Sequence, residues 1–131
     1  MEKSRLPVLF EDRTMGFRAL LVIVVPAVFG AIAGLLLGPS ATLYLVLQAV
    51  AALGGLAAGL EHQRSGQAAL RGLLGGLVFG LAIVVAHALS GGTDHGLLPQ
   101  PALLPVITAL AGAALAALGA LLRRRLEPGP A

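Results

Sequence analysis

Four polar side chains stand inside stretches that are otherwise apolar: Tyr44, Gln48, His87 and Thr108. A phenol, an amide, an imidazole and a hydroxyl make a donor–acceptor set suited to holding a small solute or ion. Tyr44 and Gln48 are four residues apart, so a helix puts them on one face. No Ser-His-acid set, paired intramembrane carboxylates, His-Glu-x-x-His run or phosphate-cradling glycine loop accompanies them, and the chain reads as non-enzymatic. His87, Asp94 and His95 are of metal-ligating type, but their spacing fits no recurring metal motif and the segment joining them is rich in glycine. The expectation is therefore no metal and no cofactor. With no cysteine in the chain, disulfides and thiolate chemistry are excluded. Glu61, Arg64 and Arg71 form a further charged group, in which Glu61 pairing with Arg64 or Arg71 would staple a hairpin. A carboxylate that couples proton movement sits deeper, near the bilayer midplane.

The elements that must position these residues are legible in the composition. Of 131 residues, 57% are hydrophobic and only 11% charged, and mean hydropathy is +0.92. Four stretches, about 17–38, 41–61, 70–90 and 101–122, are long and apolar enough to cross a bilayer, which takes roughly 20 residues of helix. The sequence thus predicts an all-α integral membrane protein, a four-transmembrane-helix antiparallel bundle. Residues 1–16 form a short N-terminal segment whose Val8-Leu9-Phe10 cluster suits a membrane surface, and residues 123–131 form a tail.

Orientation follows from charge. Lys3, Arg5, Arg13, Arg18, Arg64, Arg71, Arg123, Arg124 and Arg125 all fall on one side of a four-span topology. The positive-inside rule then places both termini in the cytoplasm. Abundant Ala, Leu, Gly, Pro and Arg fit a high-GC bacterial genome and hence a bacterial inner membrane. The first span has too long an apolar core and no obvious cleavage site for a signal peptide. A net charge of +3 could suggest nucleic acid, but no basic patch interleaved with aromatics exists. These basic residues sit at span ends and address lipid headgroups instead.

Small residues recur every four positions in all four spans. Gly72, Gly76 and Gly80 lead toward His87; Gly30, Gly34 and Gly38 follow Pro26; Gly55 and Gly59 continue the face of Tyr44 and Gln48; Thr108 precedes Gly112, Ala116 and Ala120. Such stripes let membrane helices approach closely, since lipid provides no hydrophobic gain for helix contact. Pro26 should disturb the first helix. In Gly38-Pro39-Ser40, Gly38 suits a helix C-cap and Ser40 an N-cap.

Topology puts Tyr44, Gln48, His87 and Thr108 in the outer half of the bilayer, near the stripes. They either line an outward-open cavity, or Gln48 and Thr108 bond across helices while His87 rests at the interface. The all-apolar inner half disfavours an open ion pore. The leading expectation is a helix-packing subunit of a homo-oligomer or larger membrane complex. The alternative is a small oligomeric channel or transporter with an outward-facing polar site.

Overall fold

The computed structural model describes residues 6–127 and 129. Lys3 and Arg5, and Pro128, Pro130 and Ala131 of the tail, lie outside the described residues. Four helices, α1 (Met15–Leu37), α2 (Ala41–Gly59), α3 (Ser65–Ser90) and α4 (Pro101–Leu126), are each long and apolar enough to cross a membrane. A 3-10 turn, Phe10–Asp12, precedes α1, and no strand occurs among the described residues.

Local chemistry sets the helix ends. Thr14 caps α1 through its hydroxyl, which accepts from Phe17 N, and Ser40 caps α2 by accepting from Leu43 N. Gly91 ends α3 at φ +67°, a left-handed cap that suits glycine. Gly38 ends α1 at φ −63°, so the reason expected for glycine there does not hold. Space is the reason: a Cβ at Gly38 would stand 3.3 Å from Gly92 Cα. The third helix begins five residues earlier than hydropathy suggests, and the fourth runs on through Arg123–Arg125. Hydropathy marks the apolar core of a helix, whereas the polar residues at these ends are themselves competent helix formers.

Pro26 acts on the turn before it. Having no N–H, it leaves the Val22 carbonyl without the donor four residues on. The helix takes π geometry over Leu20–Val24, with Val25 N–H donating to the Leu20 carbonyl five residues back.

The helices alternate in direction. The start of α1, end of α2, start of α3 and end of α4 share one end, which carries every basic residue among those described. We call it the basic end and the opposite one the neutral end. The most extensive contact is α3 with α4, followed by α1 with α3 and then α2 with α4. The sequence neighbours α1 and α2 touch less. Toward the neutral end Ala33, Leu37, Tyr44, Phe79, Ile83 and Leu98 form the main core cluster. Toward the basic end Ala68, Ala116 and Ala120 form a second, smaller cluster.

Backbone meets backbone where the glycines fall. A Cβ at Gly72 would overlap the Gly112 carbonyl, and one at Gly112 would overlap the Gly72 carbonyl. Further along the same pair, Gly76 faces the Thr108 carbonyl and Gly80 faces Pro105 and the Thr108 hydroxyl. On the other side of α3, Gly30 and Gly34 of α1 rest on the carbonyls of Phe79 and Ile83. Gly59 of α2 rests on Ala116, and Gly119 of α4 on Leu56 and Gly59. Gly55 makes only ordinary contact with Leu115, 3.6 Å from its would-be Cβ, and Gly54 faces open space.

Candidate functional site

The four polar residues expected to share one site are divided among three places. Tyr44 is buried, and its hydroxyl accepts a 2.7 Å bond from Gln48 Nε2 on the next turn of the same helix. Thr108 donates to the carbonyls of Leu104 and Pro105, at 2.9 and 3.2 Å, also within its own helix. The expected interhelical bonds of Gln48 and Thr108 are therefore not made. Each of these polar groups finds its partner within its own helix rather than across a helix contact. His87 stands apart, half-buried, beside a shallow cavity of about 420 Å³ that it shares with Thr93, Asp94, Leu98 and Pro101. Its Nδ1 is buried without a partner. Tyr44, Gln48 and Thr108 do not line that cavity.

His87, Asp94 and His95 do not assemble either. Asp94 turns to Gly96 N at 2.9 Å, and His95 adopts φ 54° and donates through Nε2 to the Gly38 carbonyl at 2.9 Å. This fastens the 90–100 segment onto the 38–40 turn. Among the described residues no group of three metal-ligating side chains converges.

The densest polar structure lies at the basic end, around the C-terminus of α2. A helix C-terminus leaves carbonyls without partners and carries partial negative charge. Here those carbonyls are satisfied in turn. Ala58 O accepts from Arg71 Nη1 and from His62 Nδ1, each at 3.2 Å. Leu60 O accepts from Arg123 Nη1 at 2.5 Å, and Gln63 O from Arg124 Nε at 2.8 Å. Arginines from α3 and α4 thus cap a third helix.

Glu61 completes the group. Its Oε2 accepts from Arg71 at 2.6 Å, one of the two pairings expected for it. The other is replaced: Arg64 is exposed and makes no ion pair among the described residues, while Arg13 reaches Glu61 Oε1 at 2.8 Å. Arg64 serves as the N-cap residue of α3, in extended conformation and with no side-chain cap bond. Arg13 arrives because the N-terminal segment folds back onto this end. Phe10 N donates to Glu61 O at 2.8 Å, and Arg123 Nη1 donates to Pro7 O at 2.9 Å.

Phe10 is the centre of that return. Its ring stacks on His62 with centroids 5.1 Å apart, and the guanidinium carbons of Arg71 and Arg18 lie 4.2 and 4.9 Å from its centroid. Cations over an aromatic face are attracted by its quadrupole. Phe10 is buried rather than laid on a membrane surface; Val8 alone of the Val8-Leu9-Phe10 cluster is fully exposed. Burial, the largest cause, holds His62 below its ordinary pKa; the Ala58 bond, Glu61 and Glu11 oppose this, and Arg71 reinforces it.

Sequence reasoning missed Phe10, Arg13 and Arg123 as parts of one structure. Arg123 looks like a lipid-facing anchor because basic residues end most membrane spans. It is buried instead, with Nε on Glu127 Oε1 at 2.9 Å. The available signal was the odd placement of Phe10 among charges, directly before a Thr14 cap. Compared with known protein families, curated proteins and solved structures, the chain has no match.

Proposed function

We propose that this chain is a non-enzymatic subunit of a membrane assembly, an antiparallel four-helix bundle in a bacterial inner membrane with its basic end and both termini in the cytoplasm. Small-residue faces act as its packing surfaces, and α2 is the helix through which it associates with a second copy or another membrane subunit. One observation carries the reading: only 6% of the apolar window of α2 is buried, against 22% for each of the other three helices. Gly30, Gly34, Gly72, Gly76, Gly80 and Gly112 are already occupied by neighbouring helices of the same chain. The exposed side of α2 still offers Ala49, Gly54 and Ala57 among Leu45, Val46, Val50 and Leu53. Small residues there would let another helix approach as closely as α4 approaches α3.

The channel or transporter alternative rests on Tyr44, Gln48, His87 and Thr108 acting together. Their dispersal, with three of the four hydrogen-bonded within their own helices, gives it less support.

The chain has no cysteine, so Leu53→Cys introduces a single reporter on α2. In native membranes it is expected to form an oxidative crosslink, to itself or to a copurifying subunit, while Val28→Cys on the exposed side of α1 does not. A monodisperse, partner-free monomer in mild detergent, with neither variant crosslinking, overturns the proposal.

A further inference from the structure

Between the first turns of α1 and α3 at the basic end runs an open groove of about 400 Å³. Its mouth carries Arg18, Arg71 and Gln67, with Leu70 beside Arg71, and its far part is lined by Val22, Ile23 and Leu74. At 1.5 Å per residue, Val22 and Leu74 lie about one helical turn beyond Arg18 and Arg71. This order, cationic and then apolar toward the middle of the helices, is that of a lipid headgroup followed by its acyl chain.

The two arginines differ in how far they are already neutralised. Arg71 is held by Glu61. The Arg18 side chain makes no hydrogen bond or ion pair among the described residues; its guanidinium only overlies Phe10. Glu11 also lines the groove, but it is exposed and pairs with neither arginine. Arg13 and Arg71 share the Glu61 carboxylate, so among these three cations Arg18 is the one whose side chain has no ion pair, and it stands beside an apolar trough.

We propose that this groove binds an anionic phospholipid, with the headgroup phosphate on Arg18 and an acyl chain along Val22, Ile23, Leu70 and Leu74. The site rests on the membrane reading above, because it requires the basic end to lie at headgroup level.

The test is native mass spectrometry of the full chain equilibrated with equimolar phosphatidylglycerol and phosphatidylcholine. The wild type is expected to retain phosphatidylglycerol preferentially. Arg18→Gln should lower that retention about fivefold, the worth of one basic residue at an anionic surface. Arg18→Lys should restore most of it, and Arg125→Gln, which removes an exposed charge at the same end, should change it less than twofold. Ala19→Phe, adding a ring in the groove without touching the core, should reduce retention with every charge kept. Equal losses in Arg18→Gln and Arg125→Gln, no lipid preference, or full displacement by millimolar glycerol phosphate each overturn the site. Flotation of the wild type with phosphatidylcholine vesicles keeps this separate from the membrane reading. A chain that floats without preferring phosphatidylglycerol lacks the site, and one that does not float lacks the membrane placement.

Discussion

The contact between α3 and α4 and the attachment of α2 are made by different means. Along the first, α3 presents no side chains: Gly72 and Gly76 run against the backbone of Gly112 and Thr108, and Gly80 against Pro105 and the Thr108 hydroxyl. The second is close only near the basic end, where Gly59 meets Ala116, and it loosens to ordinary contact at Gly55. Its security comes from polar ties at the helix end, those of Arg71, Arg123, Glu61 and His62. One helix pair is fixed along its length and the other helix by its tip. Dispersion between close backbones is indifferent to pH, whereas a tie made of charges and an imidazole is not.

The largest effect is expected from Gly72→Leu. Its side chain has nowhere to go short of the Gly112 carbonyl, and overpacking against backbone costs about 3 kcal/mol or more. Its counterpart, Gly54→Leu on the open side of α2, should leave intrachain stability within about 0.5 kcal/mol. Thermal unfolding in one detergent compares them, and equal losses would erase the distinction between the two attachments.

Next comes Arg123→Gln. The shorter amide cannot reach Pro7 O and Leu60 O together, leaving part-buried carbonyls unpaired at about 1 kcal/mol. The loss should be local. Proteolysis is expected to open the N-terminal segment and the 60–64 turn first, with α3 and α4 still protected. Simultaneous exposure of all four helices would show that the tip and the long contact are one cooperative unit.

The smallest effect is the pH dependence of the tie. An unfolded chain protonates His62 near its ordinary value of 6.5, while the folded chain does so only at lower pH. The unfolded state therefore holds more protons in that window, and stability declines as pH falls below about 6.5. His62→Gln should flatten this slope in unfolding curves between pH 7.5 and 5. An unchanged slope would assign it to other groups.

Much of this was legible in the residues. Hydropathy marked all four helices to within a few residues at most ends, and Gly30, Gly34, Gly72, Gly76 and Gly80 lie where backbones come close, whereas Gly55, on the same spacing, makes only ordinary contact. Two things were not. Spacing says that a face is bare but not which bare face it meets, so the pairing of α3 with both α1 and α4 needed three dimensions. A run of arginines after an apolar span also reads the same whether it meets lipid or caps another helix. Arg123 and Arg125, two residues apart, do opposite things: one is buried, the other exposed. Gln48 and Thr108 misled for a related reason, since a polar group in an apolar span suggests a distant partner when one lies a turn away.

The pairing of helices also has a consequence in time. The two helices of the first hairpin are not each other's main support: α1 rests chiefly on α3, and α2 on α4. A polypeptide emerging from the ribosome therefore delivers its first two helices before either has its main support. The first hairpin must wait, docking α1 when the third helix arrives and α2 only when the fourth is complete. Arg123, made 116 residues after the Pro7 carbonyl it grips, ties the end of the fourth helix to the segment that precedes the first.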